Sequence, residues 1–178
     1  GGMLAKIPLQ VSACEAPVPI NFTNQVVPIF TKLTCNGGGC HGKSGGQNGF
    51  RLSLLGFEPD IDYASLAREE RNRRVKVTSP DTSLLLTKGV GAVAHGGGRK
   101  MEIDSDEYRL VRRWIASGMP WGQPEDATLA DVIVYPTNRV LQAGATQQFV
   151  VMAKYSDGRF EDITRRAQYE SNATDIAT

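Results

Sequence analysis

The segment Cys35-Asn36-Gly37-Gly38-Gly39-Cys40-His41 constrains this chain more than any other stretch of it. Two thiols are separated by four residues, three of them glycine, and an imidazole follows the second thiol directly. The related unit C-x-x-C-H attaches c-type haem: both thiols bond to the vinyl groups and the adjacent imidazole ligates iron from one face. The spacer is two residues longer here. Three consecutive glycines absorb the surplus, because glycine accepts positive φ and lets backbone crowd a flat ring. Two other chemistries suit the same residues. A Cys35–Cys40 disulfide would close a short loop in an oxidising compartment. A structural zinc site needs four nitrogen or sulfur ligands, and the chain offers Cys14, Cys35, Cys40, His41 and His95. Cys40 and His41 are adjacent, which makes it awkward for both to hold one small ion.

A haem iron held by His41 calls for a second ligand, and the chain contains only two histidines. His95 lies in Val93-Ala94-His95-Gly96-Gly97-Gly98, a second glycine-dense loop where backbone can approach a ring. Met101 follows six residues later, and its thioether would give a higher potential than a second imidazole. The plainer readings are a surface-loop histidine and a core-filling methionine. Met119-Pro120 follows the last helical segment and reads as packing. Cys14, in Val11-Ser12-Ala13-Cys14, is open to three readings: thiolate ligand, free thiol or lipid site.

Composition bounds the function classes. Of 178 residues, 40% are hydrophobic and 22% charged, which is ordinary for a globular domain and excludes disorder. Twenty basic against nineteen acidic side chains leave a net charge of +1, too balanced for a nucleic-acid binder held by phosphate contacts. No apolar run approaches the roughly 18 residues of a membrane helix, so no transmembrane segment is expected. Arg68, Arg71, Arg73, Arg74 and Lys76 form the one dense charge run. It reads as a solvated face, a docking surface for an acidic partner or a counter-charge for haem propionates.

Texture changes along the chain. The net charge is +3 through residue 125 and −2 beyond it, and Gly122-Gln123-Pro124-Glu125 punctuates the change. Phe22, Val26, Ile29, Phe30 and Leu33 predict a helix ending before Cys35, kinked or begun at Pro28. Asp62 predicts the N-cap of a short helix, and Ser79-Pro80-Asp81-Thr82 opens another helical turn. The clearest helix is Ser105 to Ser117, capped by Ser105, acidic at its positive end and stopped by Gly118. Beyond Asp131 the pattern alternates, and strands are expected at 132–135, 147–155, 159–164 and 167–170, with a hairpin at Ser156-Asp157-Gly158. The expected organisation is one domain over 15–122 and a partial β domain over 129–178.

The whole pattern resembles the planctomycete-type cytochrome c domains found at the start of large secreted multidomain proteins. The resemblance runs through Ile20-Asn21-Phe22 to Pro28-Ile29, Cys35 to Gly45, and Gly49-Phe50-Arg51-Leu52-Ser53-Leu54. It continues through Arg73-Arg74, His95 to Gly98, and Arg113-Trp114-Ile115-Ala116-Ser117-Gly118 to Trp121. It implies a mainly α, class I cytochrome c-like domain, in which the 22–33 helix packs on the 105–117 helix. A partial all-β segment similar to the start of a bacterial Ig-like domain follows, with further domains downstream. By position it implies that Cys35 and Cys40 attach haem c, that His41 is the proximal ligand, and that His95 is the preferred distal ligand with Met101 as the alternative.

The function expected from these readings is one-electron transfer, not enzyme catalysis. The redox partner is an unidentified protein or a downstream domain of the same chain. A haem sensor or peroxidase-like domain needs a displaceable sixth ligand, and no further histidine is present to serve as an acid–base group. A non-haem disulfide or zinc module is the third alternative. Haem c is fitted outside the cytoplasm, so a periplasmic or secreted location is expected.

Overall fold

The computed structural model describes residues 6–8, 10, 19–69 and 73–178. Cys14 and Arg71 lie outside the described residues.

The first helical segment begins at Asn21, whose side-chain oxygen accepts from the Asn24 N–H, and makes one π-helical turn (Phe22–Val26) before α1 (Val27–Lys32). Pro28 occupies the first turn of α1, where a missing N–H removes no helical bond. After α1, Thr34 adopts a φ of 58°, and this left-handed residue turns the chain into the cysteine loop. Next come α2 (Pro59–Tyr63), which also opens on proline, and α3 (Leu84–Gly89). The longest helix is α4 (Asp106–Ala116). Ser105 Oγ accepts from the Tyr108 N–H at 3.2 Å, and Val111, Trp114 and Ile115 are buried on one face.

A single apolar cluster joins these pieces. Phe22 lies 5.3 Å from Trp114, ring centre to ring centre, so the first helical segment meets α4. Trp114 Nε1 donates to the Pro120 carbonyl at 2.9 Å and the Tyr63 hydroxyl to the Met119 carbonyl at 2.7 Å, folding the chain after α4 back over the core. Met119 is thus a packing residue.

Three antiparallel strands follow in the order β1 (Leu129–Tyr135), β2 (Val150–Tyr155), β3 (Phe160–Asp162). Val151, Ala153 and Tyr155 alternate inward along β2. Gly158, at a φ of 83°, makes the β2–β3 turn. The fourth expected strand, 167–170, is irregular. The segment between the helical and β parts is fastened to the start of the helical part: Asn21 Nδ2 donates to Asp126 at 2.9 Å and Asn24 Nδ2 to the Ala127 carbonyl at 2.7 Å. Lys32 pairs with Glu107 at 2.7 Å and also donates to the Arg165 carbonyl beyond β3.

Two expectations are corrected. The mainly α, class I cytochrome c-like class with a partial all-β Ig-like segment does not describe this chain: among the described residues 27% are helical, in short pieces, and 11% are in β-structure, most of it one three-stranded antiparallel sheet. Helices α1 to α3 are only five or six residues long: α1 is preceded directly by the π-helical turn Phe22–Val26, α2 runs on into a second one at Ala64–Arg68, and α3 ends at Gly89. Loops held by side-chain and backbone hydrogen bonds carry most of the architecture. Asp62 is not an N-cap. It sits inside α2, 1% exposed, and accepts from Ser53 N–H and Ser53 Oγ. Burial raises its pKa although both hydrogen bonds pull the other way. Among the described residues no helix is long and apolar enough to cross a membrane.

Candidate functional site

The cysteine loop is a closed backbone structure. Cys35 N–H donates to the Phe30 carbonyl at 2.8 Å, Cys40 N–H to Gly37 at 2.9 Å, and His41 N–H back to Cys35 at 3.0 Å. Asn36, fully buried, ties this loop to its surroundings. Its amide donates to the Phe30 carbonyl at 3.3 Å and accepts from Thr31 Oγ1 at 2.9 Å and Gly56 N–H at 3.1 Å, while its own carbonyl accepts from Leu55 N–H at 3.0 Å. The three glycines do not serve as expected, since none of Gly37, Gly38 and Gly39 has positive φ. The glycine that sterics demand is Gly42, where a Cβ would stand 1.9 Å from the Asn36 carbonyl oxygen. Gly39 leaves a stretch of cavity wall bare, because a Cβ there would meet nothing within 4 Å.

Cys35, Cys40, His41, His95 and Met101 all line one cavity of about 390 Å³. This volume lies in the range of cofactor and ligand pockets. Residues sixty positions apart in sequence thus share one space. Phe30, Phe50 and Leu52 make an apolar wall, and Arg73, Arg74, Lys88 and Lys100 bring positive charge to the lining. The basic run is therefore not a single face. Arg68 lies over the Tyr63 ring at 5.5 Å, while Arg73 and Arg74 reach the cavity.

The two imidazoles have matching hydrogen-bond arrangements. The Phe50 carbonyl lies 3.0 Å from His41 Nδ1 and the Gly98 carbonyl 2.9 Å from His95 Nδ1. A carbonyl only accepts, so each Nδ1 donates and each Nε2 is the nitrogen left for a metal. The rings are parallel to within 7° with centres 6.2 Å apart. That separation is within the range of stacked aromatic pairs. Burial lowers the His41 pKa, outweighing its Phe50 hydrogen bond, and so favours the neutral, ligating form.

Cys35 and Cys40 are free thiols, not a disulfide. Burial pushes the Cys35 thiol up to about 11, so the free thiol keeps its proton at ordinary pH. Among the described residues no group of three or more His, Cys, Asp or Glu converges on a metal-ion site, so the zinc reading gains no ligand set. Met101 is 6% exposed, and its thioether packs on Gly89, where a Cβ would lie 3.0 Å from the methyl carbon and 3.5 Å from sulfur.

Sequence reasoning does not find the Phe50 carbonyl, Asn36, Lys88 or Lys100. Neither lysine stands in a charge run, and a backbone acceptor has no sequence signature. Arg74 has a different task from the solvated or docking face expected of its charge run. It is buried, lies 4.8 Å over the Phe50 ring, and donates to the Ser65 carbonyl at 2.8 Å and to the Gly49 carbonyl. Phe50 in turn packs on His41 with ring centres 4.5 Å apart.

Comparison with known proteins finds no matching family model, no matching curated protein and no matching solved structure.

Proposed function

We propose that this chain carries one haem c, which Cys35 and Cys40 would attach and His41 and His95 would ligate, and that it transfers single electrons. The observation that carries the proposal is the pair of parallel imidazoles 6.2 Å apart, each with Nδ1 engaged by a carbonyl, in a cavity that both cysteines line. The resemblance of residues 20–122 to planctomycete-type cytochrome c domains supports it independently. The bound haem would supply a ferric/ferrous couple.

The chain's own residues do the rest. Cys35 and Cys40 keep the group from being lost. Phe30, Phe50 and Leu52 exclude water from one side of the cavity, and the lining cations offer counter-charge to the propionates. His41, oriented by Phe50, is the fixed axial ligand. His95 is preferred over Met101 as the second ligand, because its Nδ1 is held by the Gly98 carbonyl and its Nε2 is left, whereas Met101 is a buried core residue packed beside Gly89. A haem that His41 and His95 would both ligate at rest suits a carrier and not an enzyme. Its partner is a redox protein or another domain of the same polypeptide. Haem c is fitted outside the cytoplasm, which gives a periplasmic or secreted location.

The test is co-expression with a c-type maturation system, haem staining of a denaturing gel, and absorption spectra of the oxidised and reduced protein. Haem that stays with the denatured chain, and is lost from Cys35→Ala/Cys40→Ala, supports the proposal. A colourless wild-type chain from the same system overturns it.

A further inference from the structure

His41 and His95 are held in very different ways. His41 is locked at three points: its N–H bonds to Cys35, its carbonyl accepts from Leu52 N–H at 2.9 Å, and its Nδ1 donates to Phe50. Phe50 is itself clamped by Arg74. None of this can move without opening the cysteine loop.

His95 sits on a turn that bonds only to itself among the described residues. Gly98 N–H donates to the His95 carbonyl at 2.9 Å, and the Gly98 carbonyl takes the His95 Nδ1 proton. The ring and its partner belong to the same four residues, so they move together at no cost in hydrogen bonds. The turn is pinned outside its ends, by Val93 N–H to Thr87 at 3.1 Å on one side and, on the other, by Lys100 N–H and Met101 N–H to Gly89 at 2.8 and 3.1 Å and by Lys100 Nζ to Thr34 Oγ1 at 3.1 Å. Ala94 and Gly96 to Arg99 are exposed, and a Cβ on Gly96 or Gly98 would meet nothing within 4 Å. Few contacts and exposed backbone are the physical conditions for cheap local opening.

We infer that His95 is a releasable ligand, and that its departure opens the sixth position of the haem to a small neutral diatomic molecule of the carbon monoxide or nitric oxide class. This rests on the haem reading above. The space released is that of one imidazole ring, which suits a two-atom ligand. Such binding would require only that His95 Nε2 give up its place to the incoming lone pair, with no electron or proton changing hands.

The experiment is carbon monoxide binding to the dithionite-reduced holoprotein by stopped flow, with haem content measured beforehand by pyridine haemochrome. The wild type should bind carbon monoxide at a rate that saturates with its concentration, since loss of His95 limits the exchange. His95→Ala should bind faster and without saturation. Gly96→Ala, which fits the open space but restricts the turn, should lower the saturating rate several-fold. Haem-loaded wild type that ignores carbon monoxide overturns the inference, as does a rate identical in wild type and His95→Ala. Absence of haem in the haemochrome assay instead refutes the haem reading, and the inference falls with it. Hydrogen exchange on the chain without haem is a second readout. Amides of Gly96 and Gly97 should exchange much faster than those of Cys40 and His41, and equal protection counts against a releasable turn.

Discussion

The imidazoles of His41 and His95 lie parallel to within 7° and 6.2 Å apart, although 54 positions separate them in the chain. Their Nδ1 protons are both taken by backbone carbonyls, so both Nε2 atoms are left to ligate. His95 finds its acceptor within its own turn, whereas the approach of the two rings is not produced by local sequence.

The two candidate distal residues should separate cleanly by variant. His95→Ala is expected to lose the low-spin spectrum of the holoprotein while keeping its covalent haem. Met101→Ala should keep that spectrum and lose about 2–5 kcal/mol of stability, the usual cost of truncating a buried methionine. Spectra and thermal melts of both variants check this, and a spectral change confined to Met101→Ala would reverse the assignment.

Arg74 should act on the site through Phe50. Arg74→Ala removes the cation over the Phe50 ring and leaves the Ser65 and Gly49 carbonyls without that donor, a cost of roughly 1–3 kcal/mol. Arg74→Lys keeps the charge but cannot fork to both carbonyls. Both variants are expected to shift the midpoint potential by loosening the Phe50 carbonyl on His41, with lysine recovering part of the shift. An unchanged potential in both would reduce Arg74 to a packing role.

Two glycines of the motif should differ sharply. Gly42→Ala drives a Cβ against the Asn36 carbonyl and should cost about 1–3 kcal/mol or open the loop. Gly39→Ala meets open space and should melt like the wild type when no haem is bound. Denaturant midpoints of the two chains, together with haem yield, decide the matter.

Alkaline stability should report Cys35. The folded thiol holds its proton to about pH 11, whereas the unfolded chain releases its own near 9.0. Between those values the native state binds more protons, so stability falls as pH rises from 9 through 11. Cys35→Ser removes that contribution in the chain without haem. The stability difference between wild type and variant should therefore shrink across the window, and a pH-independent difference would show that the thiol is not desolvated.

Much of the local structure is legible in the amino-acid sequence. The Cys35–His41 motif, the Ser105 cap of α4, the Gly158 hairpin and the alternation of β2 all follow from residues close together in the chain, where steric and hydrogen-bonding preferences act directly. The class of fold is not legible there. Helical periodicity at 22–33 shows which residues face inward but not that a π-helical turn precedes α1, and the short helix expected from Asp62 starts earlier, at Pro59, and ends in a second π-helical turn, Ala64–Arg68. The role of Asp62 escapes sequence reasoning for a related reason: a carboxylate before an apolar run looks like a cap until the fold brings Ser53 to it.

Local chemistry thus determines which side chains can bond, ligate or cap, since those properties travel with the residue and its nearest neighbours. That His95 stands opposite His41, that Met101 is engaged on Gly89, and that Arg74 supports Phe50 are decided only by the folded chain. Each of those contacts joins segments whose approach depends on how the whole core packs, and no periodicity or spacing encodes the distance between them.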